Sequence, residues 1–287
     1  MTRRDFLRQA ASAAAAAALG LPALAADEKT KTSTVVLIRH PDAVSADGRV
    51  NAAVVAQMID EAVAKLVGTS RARDAWPRLI KPTDTVGIKS NEWAPLRTPP
   101  EVEQILRQRC IDVGVPAERI KITDRQARTL LADCTALINV RPVRSHHWAG
   151  IGGCIKNYIM FSDRPSQYHP NSCESLALAW ELPICKGKTR LNILLALTPL
   201  FWGRGPHHYD PNFVWPYRGI FVSFDPVAVD ALGAELLRRK RIDFFGEDRP
   251  ITPTVHITAA GEKYGLGVAD LSRIRLIKLG WQEGALL

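Results

Sequence analysis

The sequence predicts an α/β protein, a mainly parallel or mixed sheet flanked by helices. Two observations carry that expectation. Short runs rich in Val and Ile alternate with longer stretches whose apolar residues recur at three-to-four spacing. Several of the short runs are apolar throughout, the pattern of strands covered on both faces. Neither a repeat nor a linker interrupts the alternation, so residues 27–287 read as a single domain.

Thr34–Ile38 reads as the first strand. Asn51 then caps a helix whose Val55, Ile59, Ala62, Val63 and Leu66 share one face. Thr85–Lys89 is a second strand. Thr98-Pro99-Pro100-Glu101 has the form of a capping box with prolines in the first turn, opening a helix that stops at Gly114. Arg119–Thr123 and Ala136–Val140 are further strands around a short helix. A glycine turn at Gly150–Gly153 leads into a helical Cys154–Phe161, and Ser172–Leu182 is helical too. Arg190–Leu197 is a long apolar strand. An aromatic, Gly- and Pro-rich loop fills 201–216. Ile220–Ser223 is a strand, Asp225-Pro226 opens a helix through Arg239, Thr254–Tyr264 is helical, and Ile274–Leu279 is the last strand. Ligands in such folds gather at the carboxyl ends of strands, which places Lys89–Asn91, Asn139–Gly153 and Asp225 on one rim.

The first 26 residues have a different character. Arg3-Arg4-Asp5-Phe6-Leu7-Arg8 has the twin-arginine form, an alanine-rich stretch follows from Ala10 to Leu21, and Ala23-Leu24-Ala25 is an A-x-A cleavage site. The stretch is short and weakly apolar for a membrane span. The expectation is export of the folded chain by the twin-arginine translocase to a periplasmic or extracytoplasmic place. Cleavage near Ala26 would leave no stable membrane span.

The formal net charge is +9, of which this leader supplies +2. The excess favours acidic ligands or anionic surfaces. It does not indicate nucleic acid, because the cations are scattered and no nucleic-acid motif is present. Five cysteines, Cys110, Cys134, Cys154, Cys173 and Cys185, include no C-x-x-C pair, so no ferredoxin-type iron–sulfur motif or zinc ribbon is expected. Cys110 and Cys134 read as buried small hydrophobes. Cys173 and Cys185 are the two that an oxidising compartment could join. No nucleophile elbow, Walker loop or G-x-G-x-x-G appears.

Chemistry-bearing residues concentrate between Asn139 and Asn157, where Arg141, Arg144, His146, His147, Cys154 and Lys156 surround Gly150, Gly152 and Gly153. Glycines let backbone N–H groups approach a ligand, a helix start after them favours an anion, and arginine grips carboxylate or phosphate bidentately. The bland alternative is a solvated basic loop. Histidines raise a second possibility, a divalent metal, with His146, His147, His169, His207 and His208 as candidate ligands beside Asp210 and Cys154. Asp225 suits a helix cap. Asp230 lies inside the same helix, where aspartate is a poor helix former, and is the better candidate for a site role.

These strings together resemble the bacterial and archaeal family known as domain of unknown function 362, over roughly Val35 to Leu279. Val86-Gly87-Ile88-Lys89-Ser90-Asn91 is similar to its I-K-x-N segment, and Pro142-Val143-Arg144-Ser145-His146 to its P-x-L-K-x-H. Gly150 with Lys156-Asn157 resembles the G…K-N that follows. Arg164 with Tyr168-His169 resembles an R…Y/F-H element, and Ser223–Ala231 resembles S-x-D-P-V-A-x-D-A. Arg144 stands where lysine is usual, Cys154 stands where a small unreactive residue is more common, and the two-cluster ferredoxin segment of some relatives is lacking. The resemblance implies a site and no agreed activity.

A fainter likeness links Arg97–Glu101 and Gly114–Ile120 to the amino-terminal lobe of nickel-dependent lactate racemases. Gly152-Gly153-Cys154-Ile155-Lys156 partly resembles their G-G-x-K, with the lysine displaced by one residue.

Three functions compete. In the first, an exported binding or redox-associated protein holds a small anionic ligand or cofactor through Lys89, Arg141, Arg144, His146 and Lys156. Asn91, Asn139 and Asn157 orient that ligand, and Gly152 and Gly153 line its place. In the second, a metal-dependent isomerase or racemase of hydroxy acids uses His146 or His169 as ligand or base, oriented by Asp230. In the third, an exported domain docks a partner through tryptophans such as Trp202 and Trp215.

Overall fold

The computed structural model describes residues 31–203 and 209–287; the leader expected over 1–26 and the His207-His208 pair lie outside the described residues. Eight strands form one sheet: β1 (Ser33–Arg39), β2 (Val86–Lys89), β3 (Ile120–Thr123), β4 (Ala136–His146), β5 (Gly150–Gly152), β6 (Thr189–Leu200), β7 (Gly219–Ser223) and β8 (Ile274–Gly280). Their order is β3-β2-β4-β6-β7-β1-β8, with β5 paired to β4. Neighbours run parallel except around β7, which is antiparallel to β6 and β1, and at the β4–β5 hairpin. The expected α/β class, with a mixed sheet, is what the chain adopts.

Helices cover both faces. On one side α1 (Ala52–Val67), α2 (Ala72–Leu79) and α3 (Pro100–Asp112) bury Val55, Ile59, Trp76, Val102 and Leu106 against Val36, Ile88, Ile138, Ile193 and Val222 of the sheet. On the other side lie α4 (Ala127–Leu130), α5 (Cys154–Asn157), the 158–181 segment, α6 (Pro226–Phe245) and α7 (Val255–Glu262). They bury Tyr158, Trp180, Val227 and Leu236 against Leu37, Leu137, Leu194 and Phe221. Residues Thr32–Leu287 pack as one compact unit. No described helix is long and apolar enough to cross a membrane.

Local chemistry explains most boundaries. The Asn51 side chain accepts from Val54 N, and α1 ends at Gly68 with φ 77°. Asp225 accepts from Val227 N and Ala228 N, Pro226 fills the first turn of α6, and Gly246 ends it. Elsewhere the sequence misleads. Thr98 does not cap α3; its hydroxyl accepts from Asn91 N at 3.1 Å, and Pro99 stands at the cap. Helix α2 has no counterpart in the sequence expectation, because Pro77 and its charged residues leave only Ala75 and Trp76 as a buried side. The helix expected from Ser172 begins two residues later as a 3-10 turn, Glu174–Glu181. Asn171, Ser172 and Cys173 ahead of it all take positive φ. Strand β4 runs six residues past Val140, to His146. All five cysteines are buried free thiols; Cys185 faces Ala179 O at 3.1 Å and Cys173 faces His169 O at 3.7 Å, so these two are not joined.

One topological expectation fails. Because β7 is antiparallel, its carboxyl end at Ser223 pairs with Val35 and Asn192, near the beginnings of β1 and β6. Asp225 therefore sits at the edge of the sheet opposite to the rim where β1 and β6 end. The parallel β2 and β4 do send the segments after Lys89 and Asn139 toward one rim, and the antiparallel β7 does not bring Asp225 to it.

Candidate functional site

A single transverse row of the sheet is polar. Thr123, Lys89, Asn139, Asn192, Ser223 and Val35 are successive partners across β3, β2, β4, β6, β7 and β1. Members of one row share a face, and Val35 belongs to the core on the α6 side. Lys89, Asn139, Asn192 and Ser223 are completely buried there. Buried polar groups require partners, and α5 supplies many of them. Asn157 Nδ2 donates to Asn139 Oδ1 (2.9 Å) and to Lys89 O (3.1 Å). Asn139 Nδ2 donates to Asn192 Oδ1 (3.0 Å) and Cys154 O (3.1 Å), and Asn192 Nδ2 to Phe224 O (3.1 Å). Lys89 Nζ donates to Asp124 Oδ1 (2.5 Å), Ser90 O (2.8 Å) and Asn157 Oδ1 (3.2 Å). Burial pushes this ammonium down to about 8 while Asp124 pulls it back up. Lys89, Asn139 and Asn157 therefore fasten α5 to the sheet, with their hydrogen-bonding capacity turned inward.

The glycine turn before α5 does mark an anion position, and this chain fills it itself. The Asp230 carboxylate, projecting from α6, accepts from Cys154 N (2.6 Å) and Ile155 N (2.8 Å). A Cβ on Gly153 would fall 2.2 Å from Asp230 Oδ1, and one on Gly152 would fall 3.0 Å from Arg141 Nη2. These glycines make room for side chains of the protein itself, not for a ligand. Asp230 orients α5 and is not hydrogen-bonded to His146 or His169. Burial pushes its carboxyl up to about 7, against the two N–H groups and Arg141.

Three cations remain: Arg141, Arg144 and Lys156 are 4%, 3% and 3% exposed and form no ion pair among the described residues. Arg141 Nη1 reaches Gly153 O at 3.4 Å. Arg144 Nη1 donates to Asn91 Oδ1 (3.0 Å), and its guanidinium lies 4.4 Å from the Trp93 ring centre. The Nε atoms of both arginines have no hydrogen-bond partner. Lys156 Nζ lies 3.9 Å from Cys173 Sγ. Burial and mutual repulsion disfavour these charges, lowering Arg144 well below its ordinary value and Lys156 to about 8.

Aromatic rings border the cations. Trp93 meets Tyr209 edge-on at 6.0 Å. His146 stacks on His147, His147 contacts Trp148, and Trp148 lies 4.1 Å from the His169 ring. His146 is buried, accepts from Trp148 N through Nδ1 (3.2 Å), and is held neutral by burial and by Lys156, Arg141 and Arg144. His169 is lowered to about 4. Among the described residues no three His, Cys, Asp or Glu side chains converge as a metal set. Asp210 instead caps a turn through Asn212 N at 2.9 Å.

Four members of this constellation go unmarked in the sequence expectation. Asn192 is the one polar residue in the run Leu191–Leu197 of β6, a signal the strand itself displays. Asp124 follows the end of β3 and was open to the same strand-end rule as Asn91. Trp93 had no signal beyond its neighbourhood to Asn91. His256, on α7, is fully buried, faces the Ala149 backbone without reaching hydrogen-bond geometry, and is pushed to about 3 by burial, Lys156 and Arg141. Only its three-dimensional neighbours reveal it.

The family model described as "Domain of unknown function (DUF362)" matches residues 91–235, which include all three unpaired cations, Asn157 and Asp230. No curated protein and no solved structure matches the chain.

Proposed function

We propose that this chain, which belongs to the DUF362 family of domains of unknown function, binds a small anion through Arg141, Arg144 and Lys156. One observation carries the reading: three buried cations lie together, none of them forms an ion pair among the described residues, and two of them keep an unpartnered Nε. A charge removed from water costs several kcal/mol unless a counter-charge offsets it. Lys89, equally buried, has that counter-charge in Asp124. A carboxylate or phosphate would supply the missing one, with a guanidinium fork matched to its oxygens. The metal-assisted isomerase gains no comparable support, because the field around His146 repels a cation.

Calorimetric titration with phosphate, acetate, pyruvate and lactate tests the site. At least one anion binds the wild type, and Arg144→Ala and Lys156→Ala each weaken it by about tenfold or more, the equivalent of ~1.4 kcal/mol. Equal affinity in both variants would remove the reading. The pH dependence has a definite sign. Lys156 faces Cys173, Arg141, Arg144, His146, His169 and His256, and its ammonium is lowered to about 8. An anion favours the charged form, so binding takes up protons near pH 8 and weakens as pH rises through that value. Proton uptake shows as a buffer-dependent binding enthalpy.

Export is proposed separately, on the Arg3-Arg4 pair and the Ala23-Leu24-Ala25 site. The described strands begin at Ser33, downstream of that cut. Periplasmic material should begin near Ala26, and a double substitution of Arg3 and Arg4 by lysine should leave uncut precursor in the cytoplasm. An intact Met1 on the exported chain would refute cleavage.

A further inference from the structure

Lys89 and Lys156 are both buried, and both ammonium groups are lowered to about 8, yet their surroundings differ in kind. Lys89 is locked by Asp124, Ser90 O and Asn157 Oδ1. Lys156 has only a long contact to the Cys173 thiol, at 3.9 Å, and no oxygen partner among the described residues. An amine held in place by burial and left without a carboxylate is a nucleophile in waiting. Its neighbours Arg141 and Arg144 are placed to hold the anionic end of a reactant, and the neutral imidazole of His146 stands within electrostatic reach.

We propose that Lys156 forms a Schiff base with a carbonyl compound that carries its own anionic group, an oxo carboxylate or oxo phosphate, whose charge Arg141 and Arg144 bind. This rests on the anion-site reading and adds the covalent step. The neutral Lys156 Nζ adds to the carbonyl carbon, and the carbonyl oxygen takes a proton to give a carbinolamine. The nitrogen then loses a proton and the hydroxyl leaves as water, giving the imine. One water is released and nothing is oxidised or reduced. Neutral His146 can accept and return the proton that moves between nitrogen and oxygen. The division of labour also accounts for a lysine beside two arginines: guanidinium stays charged and grips, whereas an amine can lose its proton and react.

The test uses the full chain, incubated with pyruvate or with dihydroxyacetone phosphate and then reduced with borohydride. Intact mass and peptide mapping should find about one reduced adduct per chain, on the peptide bearing Lys156. Acetone, which lacks the anionic group, should leave that peptide unlabelled, and Lys156→Arg should abolish the adduct. Labelling by pyruvate alone identifies a carboxylate reactant; labelling by dihydroxyacetone phosphate alone identifies a phosphate. Mapping on the wild type decides the matter even if the variant fails to fold. If either acid raises the melting temperature but neither labels Lys156, the Schiff base is wrong and the anion site stands. If neither acid stabilises or labels the protein while phosphate or acetate binds, the Schiff base is again wrong. If no anion binds and none labels, both fall. Equal labelling by acetone would also overturn the proposal.

Discussion

Arg144→Met should make the protein more stable and unable to hold its anion. Arg144 is 3% exposed, its Nε has no partner, and Arg141 repels it. Against this stand one hydrogen bond to Asn91 and the contact with Trp93, together worth about 1–3 kcal/mol, and the weaker attraction of Asp124, which forms no ion pair with Arg144. The effective cost of burying a charge without an ion pair is larger, several kcal/mol, and exchanging buried ionic groups for well-packed apolar ones is often neutral or stabilising by about 1–4 kcal/mol. Methionine keeps most of the side-chain length and adapts to the space. Urea unfolding in a buffer free of phosphate, sulfate and carboxylates should therefore show a gain of about 1–3 kcal/mol. The anion that binds the wild type should lose affinity by about 100-fold, since removing one partner of a desolvated charge pair costs ~2–5 kcal/mol. A structural role for Arg144 gives the opposite sign, with lower stability and unchanged binding. The combination of gained stability and lost binding is thus the signature of a residue retained for function.

The same contrast shows what sequence could and could not reveal. The strands were legible because their apolar runs leave no other use for them, and α1 and α6 because Asn51, Gly68, Asp225 and Gly246 punctuate them. The cluster from Asn139 to Asn157 was legible as a concentration of chemistry. Its internal division was not. Arg141, Arg144, Lys156, Asn139 and Asn157 look alike as polar residues in one string, and only their hydrogen-bond partners separate the inward-turned amides from the unpaired cations. Asp124, just after β3, and His256, on α7, are distant in the chain. The direction of β7 was likewise beyond reach, since an apolar strand carries no mark of parallel or antiparallel pairing, and with it went the placement of Asp225. The glycine turn shows the limit most sharply: the N–H groups of Cys154 and Ile155 are taken by the Asp230 carboxylate, and the sequence does not say whether their partner comes from solvent or from residue 230.

That internal anion leads to the largest stability effect expected. Asp230 is fully buried and accepts from two backbone N–H groups at the start of α5. Asp230→Ala strands both donors, each at about 1–3 kcal/mol, and removes one of the two carboxylates, Asp124 and Asp230, that favour the charge of Arg141. A loss of about 3–5 kcal/mol follows, or a fall of roughly 10 °C in Tm for a domain of this size. Gly153→Ala should cost a similar amount for a different reason. Its backbone, at φ −128°, suits any residue, so only the collision of the new Cβ with the Asp230 carboxylate, at 2.2 Å, opposes the change. The two effects must then be strongly non-additive. Once Asp230→Ala has removed the carboxylate, the methyl group of Gly153→Ala enters vacated space and should cost less than about 1 kcal/mol. A double-mutant cycle by urea unfolding measures this coupling. Costs that simply add would mean that Gly153 serves something other than Asp230, and a ligand at the turn would return as the better explanation. Strong coupling would instead fix Gly153 and Asp230 as one structural device, whose effect is to set the angle at which α5 presents Lys156 to Arg141 and Arg144.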